Sequence, residues 1–122
     1  MSSKITNDLG NVEVSEEVIA NIAGSAVTEC FGVIGMASRK ISDGIAELLG
    51  KDSLNKGIEV KIFEDRLEID IYIIVVYGVK ISEVAKNVME KVSYQVTKIT
   101  GLEIGSVNVI VQGVRILDKV GR

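Results

Sequence analysis

The stretch from Ile58 to Tyr77 constrains this chain more than any other. Ile58, Val60 and Ile62 alternate with Glu59 and Lys61. After the polar triplet Glu64-Asp65-Arg66, the residues Leu67, Ile69, Ile71, Ile73, Val75 and Tyr77 alternate with Glu68, Asp70, Tyr72, Ile74 and Val76. A period of two sends successive side chains to opposite faces, so the pattern predicts a β-hairpin with one continuous apolar face. The other face changes character halfway, charged at Glu68 and Asp70 and apolar at Ile74 and Val76. A half-strand that is apolar on both sides needs cover on both sides, which makes it central, partner-bound, or both.

Around this hairpin the period changes to that of helices. Ser15 is placed as a helix N-cap, with Glu16 and Glu17 where the helix dipole favours acids. Val18, Ile19, Ile22, Ala23, Ala26, Val27 and Cys30 follow on one helical face, and Gly32 stops the run. A short helix is expected from Ile41 to Leu49, then a polar surface loop over 51–57. A long helix is expected from Ser82 to Thr100, burying Ile81, Ala85, Val88, Met89, Val92, Val96 and Ile99, with Gly101 ending it and Leu102 packing back on Val96. A last strand, Ile104 to Val114, puts Val107, Val109 and Val111 on one face. At the start, residues 1–10 read as a flexible lead-in, and Gly10-Asn11 turns the chain into a short strand at Val12–Val14. The expected architecture is a single α+β domain over residues 11–122. Its order is β-α-α-β-β-α-β, a mixed sheet with a central hairpin and helices packed on it.

Bulk properties bound the function. A chain of 122 residues suits one domain, which buries about two thirds of its unfolded surface without needing disulfides or metal. With only 4% aromatic residues and no Trp, the core must come from Val, Ile, Leu and Ala. The net charge of −3 argues against nucleic acid as a partner, because phosphate contacts reward a basic excess. It argues equally against direct binding to anionic lipid. Cys30 is the only cysteine, so no internal disulfide forms, in keeping with a reducing compartment. The longest apolar run, Ile71 to Tyr77, falls well short of the roughly 18 residues that mark a membrane span, so no direct membrane insertion is expected. Met1 to Gly10 has neither the basic start nor the apolar stretch of a signal peptide. The expected location is the cytoplasm.

Chemistry is sparse. There is no His, which removes the commonest general base near neutral pH and the commonest metal ligand. Glu16-Glu17 serve the start of a helix, and Glu64 and Asp65 belong to a turn. Glu68 and Asp70 share a strand face but are too few oxygen donors for a hard cation. Cys30 sits on an apolar helix face, where a small buried hydrophobe is expected rather than a reactive thiolate. No catalytic residue, metal site or cofactor is therefore expected.

Two features point to contacts instead. Phe63, Tyr72, Ile74 and Val76 lie on the face opposite the continuous stripe, and Ile110 joins them from the last strand. They form either a patch that demands a partner or a surface covered by another element of the chain. The segment Gly32-Val33-Ile34-Gly35 follows a helix and is similar to the Gly-x-x-Gly loop of the KH nucleic-acid-binding module. Arg39 and Lys40 lie close by, yet Val33 and Ile34 offer phosphate neither charge nor a donor. The alternatives at this point are a KH-like RNA-binding module using the Gly32–Gly35 loop, and a tight apolar passage that needs both glycines.

Three stretches together resemble the alkaline-shock-protein family of Gram-positive bacteria, of the envelope stress response type. They are Gly10-Asn11-Val12-Glu13-Val14-Ser15-Glu16-Glu17-Val18-Ile19 with Ile22-Ala23 and Ala26, then Gly32-Val33-Ile34-Gly35-Met36-Ala37. The third runs from Ile71 through Tyr77-Gly78-Val79-Lys80-Ile81 to Thr100-Gly101-Leu102, ending in Val107-Asn108-Val109 and Gly113-Val114. The resemblance implies a cytosolic, non-enzymatic α+β protein that forms homo-oligomers and works by protein–protein interaction. Some members reach the membrane through a small membrane-anchored partner, and others are connected with regulation of fatty-acid synthesis. Members often carry Pro where this chain has Phe31 and Ser82, and the branch stays open between these two roles.

Overall fold

A computed structural model of the chain describes residues 2–38, 56–64 and 66–116. The fold is organised by the strand with the doubled apolar pattern, because burial on both faces forces it to the middle. Eight elements are described. In chain order they are β1 (Ser2–Asn7), β2 (Gly10–Ser15), α1 (Glu16–Thr28), β3 (Val33–Met36), β4 (Ile58–Ile62), β5 (Leu67–Val76), α2 (Ile81–Thr100) and β6 (Ile104–Arg115). One edge of β5 is shared, antiparallel, by β4 along its first half and β3 along its second. The other edge pairs with β6 in parallel for the full length. A parallel neighbour needs a crossover, and α2 supplies it.

The odd-numbered residues of β5 carry the core. Leu67, Ile69, Ile71, Ile73 and Val75 are fully buried and join one apolar cluster with Ile19, Ala23 and Val27 of α1 and Val84, Val88, Val92 and Val96 of α2. Each fully buried Ile or Leu side chain contributes about 1.5–3 kcal/mol. The parallel register sets Val107, Val109 and Val111 beside Ile69, Ile71 and Ile73, and all three pack on the same cluster. Both helices therefore cover one face: α1 lies against β3 and β4, α2 against β6, and the two helices against each other. The result is a small α+β domain.

Local signals set the helix ends. The Ser15 Oγ accepts from the Val18 amide at 3.3 Å, satisfying an otherwise unpaired donor of α1. At the far end of α2 the Gly101 amide donates to the Thr97 carbonyl. Thr100 Oγ1 donates to the Val96 carbonyl and accepts from the Leu102 amide, which brings Leu102 into the core beside Val96.

Several expectations are corrected. The segment expected as a loose lead-in carries β1, which pairs antiparallel with β2 from Ser2↔Ser15 to Asn7↔Gly10. The apolar, glycine-punctuated segment after α1 is strand β3, since its backbone meets the open half-edge of β5. On α2 the buried stripe is Val84, Val88, Val92 and Val96, while Ile81, Met89 and Ile99 are exposed. Ile81 and Ile99 lie on the same side as this stripe but in the first and last turns of the helix, and Met89 lies at the stripe's margin. Val18 and Tyr77, also expected inward, are exposed. The helix expected at Ile41–Leu49 lies outside the described residues.

Candidate interaction surfaces

The sheet face away from the helices is split as the sequence pattern requires. At its polar end Asp70, nearly buried, accepts from Asn108 Nδ2 at 2.8 Å and lies 3.1 Å from Lys61 Nζ. Burial works to raise the Asp70 pKa, but the hydrogen bonds from Asn108 and Lys61 and the Lys61 charge outweigh it and hold the carboxyl below its ordinary value. The same hydrogen bond and charge raise the pKa of Lys61. Arg66 Nε reaches Glu68 at 3.2 Å and its guanidinium stands 4.5 Å over the Phe63 ring. These contacts tie the hairpin end together and leave the acids engaged with protein cations.

The apolar end differs from a simple exposed patch. Ile74 is 0% exposed, so it is already covered in the isolated chain and is not a free contact residue. Tyr72 and Val76 are half-buried, and Ile110 stands beside Tyr72 in register, also half-buried. Phe63 is 43% exposed but sits beyond the hairpin turn, with its amide donating to the Arg66 carbonyl. At 3.3 Å per residue, the strand separates Phe63 from Val76 by roughly 30 Å. The structure thus brings Tyr72 and Ile110 together and leaves Phe63 apart.

The Gly32–Gly35 segment is not an open loop. The Gly32 carbonyl accepts from the Val76 amide at 3.0 Å, Val33 and Gly35 are in register with Val75 and Ile74, and the Ala37 amide donates to the Tyr72 carbonyl. A backbone committed to β5 is not arranged to clamp phosphate, so the KH-like alternative loses its loop. Val33 packs on the core, and Ile34 and Gly35 are half-buried within β3. Arg39 and Lys40 lie outside the described residues.

The sequence reading missed the outward side of α2. Tyr94 and Ile99 are each 60% exposed and Met89 38%. Ile99 flanks a groove of about 320 Å³ between α1 and α2, with Ile22 and Ala26 on its floor. Met89 and Tyr94 flank a second, of about 630 Å³, between α2 and β6 over Ile104 and Val107. A signal was present for Tyr94 alone: the apolar residues at 81, 84, 85, 88, 89, 92, 96 and 99 share one stripe of roughly 140°, and Tyr94 stands on the opposite side. Beside the first groove, Lys91 pairs with Glu29 at 3.1 Å and Cys30 is half-buried, its Sγ donating to the Ala26 carbonyl. Burial pushes the thiol pKa up, Lys91 opposes and Glu29 adds to it, which makes Cys30 a packing residue rather than a thiolate. Among the described residues no group of three or more His, Cys, Asp or Glu is placed to hold a metal ion, and no helix is long and apolar enough to cross a membrane.

Comparison with known proteins decides the family. The model of the alkaline-shock-protein 23 family, described by a cell envelope-related function, matches residues 4–116. The chain belongs to this family. Its relatives include the uncharacterized protein YloU of Bacillus subtilis (strain 168), 47% identical over 119 residues that span 97% of this chain and 99% of that protein. Another is the uncharacterized protein Spy1614 of Streptococcus pyogenes serotype M6, 42% identical over 98% of this chain and 99% of that protein. Among solved structures, MamM CTD aligns with a TM-score of 0.48 and 18% identity, covering 80% of this chain and 93% of that one. That distant likeness has no bearing on function. The family membership confirms the resemblance read from the three sequence stretches.

Proposed function

We propose that this alkaline-shock-protein family member is a non-enzymatic, cytoplasmic, self-associating interaction domain that serves the cell envelope by protein contacts. A partner recruits it to the membrane. The observation that carries this reading is the pair of grooves flanking α2, one bordered by the exposed Ile99 and the other by the exposed Tyr94 and Met89. A groove with an apolar floor and an exposed apolar wall offers a partner a surface to cover. Tyr72, Val76 and Ile110 on the opposite sheet face, with Gly32 to Gly35 at its edge, form a secondary contact region. A role in regulating lipid synthesis uses the same surfaces toward a cytosolic partner.

The test is the location of a fluorescent fusion in a Gram-positive host, compared with Tyr94→Glu and Ile99→Glu variants. Both residues are exposed, so the variants keep the wild-type far-UV circular dichroism. The envelope-associated signal is expected to become diffuse in at least one variant. Unchanged signal in both removes α2 as the contact surface, and a wild-type fusion that is diffuse under envelope stress removes the envelope role.

A further inference from the structure

The outer edge of β6 is the least defended part of the sheet. Soluble proteins protect exposed strand edges with charges, proline, shortness or bulges, because unpaired N–H and C=O groups invite another strand. In this chain β3 has only four residues, and β4 carries Glu59 and Lys61. The β1–β2 hairpin carries Lys4 and Glu13, which pair across it at 3.8 Å. Strand β6 has twelve residues and no charge or proline from Ile104 to Val114. Its inner edge is paired to β5, and among the described residues no strand occupies its outer edge. Register shifts fall near Gly105 and Gln112, and the run from Ser106 to Val111 between them is regular.

We propose that this edge pairs antiparallel with β6 of a second copy about a two-fold axis through Val109, joining two sheets into one. The proposal rests on the self-association in the reading above and assigns it a site. Charge matching selects the occupant. An uncharged edge is best met by an uncharged strand of matching length; β1, β2 and β4 each bring a charge, β3 is uncharged but has only four residues, and β5 is already paired on both edges. A second β6 is the remaining match.

Symmetry then restricts the register. A two-fold axis perpendicular to the sheet keeps the helices of both copies on one side, so facing residues must share a sheet face. Centring on Val109 sets Val107 of one copy against Val111 of the other and Val109 against its counterpart, all on the helix side. On the far side Asn108 meets Ile110. Facing β-branched pairs are favourable neighbours in antiparallel sheets. A shift of the axis to Asn108 would lose one of these valine matches. The groove of about 630 Å³ between α2 and β6 lies over this edge, with Met89 and Tyr94 as its exposed wall. Its floor on β6 runs from Ile104 to Val107, so in this register it leaves room on the helix side for the part of the incoming strand that follows Val111.

The experiment uses the full chain. Sedimentation equilibrium is expected to give a dimer, and Ile110→Lys, on the face away from the helices, weakens it by roughly tenfold or more. Hydrogen exchange is read on the same samples over roughly a hundredfold range of concentration, and amides within Val107–Val111 are expected to slow as the dimer forms. In a Cys30→Ala background, mild oxidation links copies carrying both Asn108→Cys and Ile110→Cys, and links neither single variant. A dimer whose β6 exchange is independent of concentration, or which survives Ile110→Lys intact, overturns the β6 site and leaves the interaction reading standing. A chain that stays monomeric overturns both the β6 site and self-association, while recruitment to the envelope is judged by the fusion experiment.

Discussion

Replacing Gly32 with alanine tests how closely the turn after α1 approaches α2. Gly32 has φ +89°, and a Cβ built there would lie 2.7 Å from Val84 Cγ2 and 3.4 Å from Val79 Cγ1. Two costs follow. Holding a non-glycine residue in the left-handed region costs about 1–2 kcal/mol. Inserting a methyl group against a buried valine costs about 1–3 kcal/mol more, and Val84 is buried. The sum is about 2–5 kcal/mol, or roughly 8–20 °C in Tm at about 4 °C per kcal/mol for a domain of this size. Gly78 is the internal control. Its φ is +101° but nothing lies within 4 Å of its Cβ position, so Gly78→Ala is expected to lose only the backbone part, about 1–2 kcal/mol.

The assay is urea unfolding followed by far-UV circular dichroism, since the chain has no Trp, at one fixed protein concentration because association shifts apparent stability. Val84→Ala combined with Gly32→Ala completes a double-mutant cycle. Removing the Val84 methyl groups makes space for the new Cβ, so the double variant is expected to be more stable than the sum of the single losses by about 1–3 kcal/mol. Equal losses at Gly32 and Gly78, together with additive behaviour in the cycle, would refute the close approach of this turn to α2.

The other predictions concern the sheet and the first helix. Ile74→Glu places a charge at a fully buried site and is expected to cost about 3 kcal/mol or more in urea unfolding, whereas Val76→Glu, at a half-buried site, costs far less. Equal stabilities would mean that Ile74 is open to water. The folded-state pKa of Asp70 is lowered by Asn108 and Lys61 despite the opposing effect of burial. Its contribution is therefore present above the unfolded value, near 3.8, and is lost as pH falls through the lower folded value. Asp70→Asn is expected to flatten that acid limb of the stability curve, and an unchanged limb in urea titrations below about pH 4 would refute the assignment. Ser15→Ala removes the side-chain cap of α1 and is expected to cost about 1 kcal/mol, with Ser15→Asp retaining most of it. Equal losses for the two would show that the cap bond contributes nothing.

The hairpin was legible because alternation over Ile58–Val76 has one physical meaning, and the helix ends were legible because Ser15 and Gly101 act through bonds to their own neighbours. The doubled apolar pattern of Ile71–Val76 by itself marks β5 as central or partner-bound. The α1 face was read correctly at Ile19, Ala23, Ala26 and Val27, which lie deepest in the stripe. Local chemistry and strict period determined these elements, and no distant contact was needed to specify them.

Other features had no local signature. Which apolar residues of α2 are buried depends on how far its neighbours extend along it, since Ile81 and Ile99 lie on the same side as Val84, Val88, Val92 and Val96 but in the end turns. That packing left Met89 and Ile99 outside and created the two grooves. Strand β3 is four residues long and gains its identity from the open half-edge of β5, so the same Gly-x-x-Gly sequence reads equally well as a loop. The face of β5 bearing Tyr72 and Ile74 was visible in the sequence, but the burial of Ile74 was not. A strand's period records which residues share a face; only the packed structure determines which faces and edges remain for another molecule.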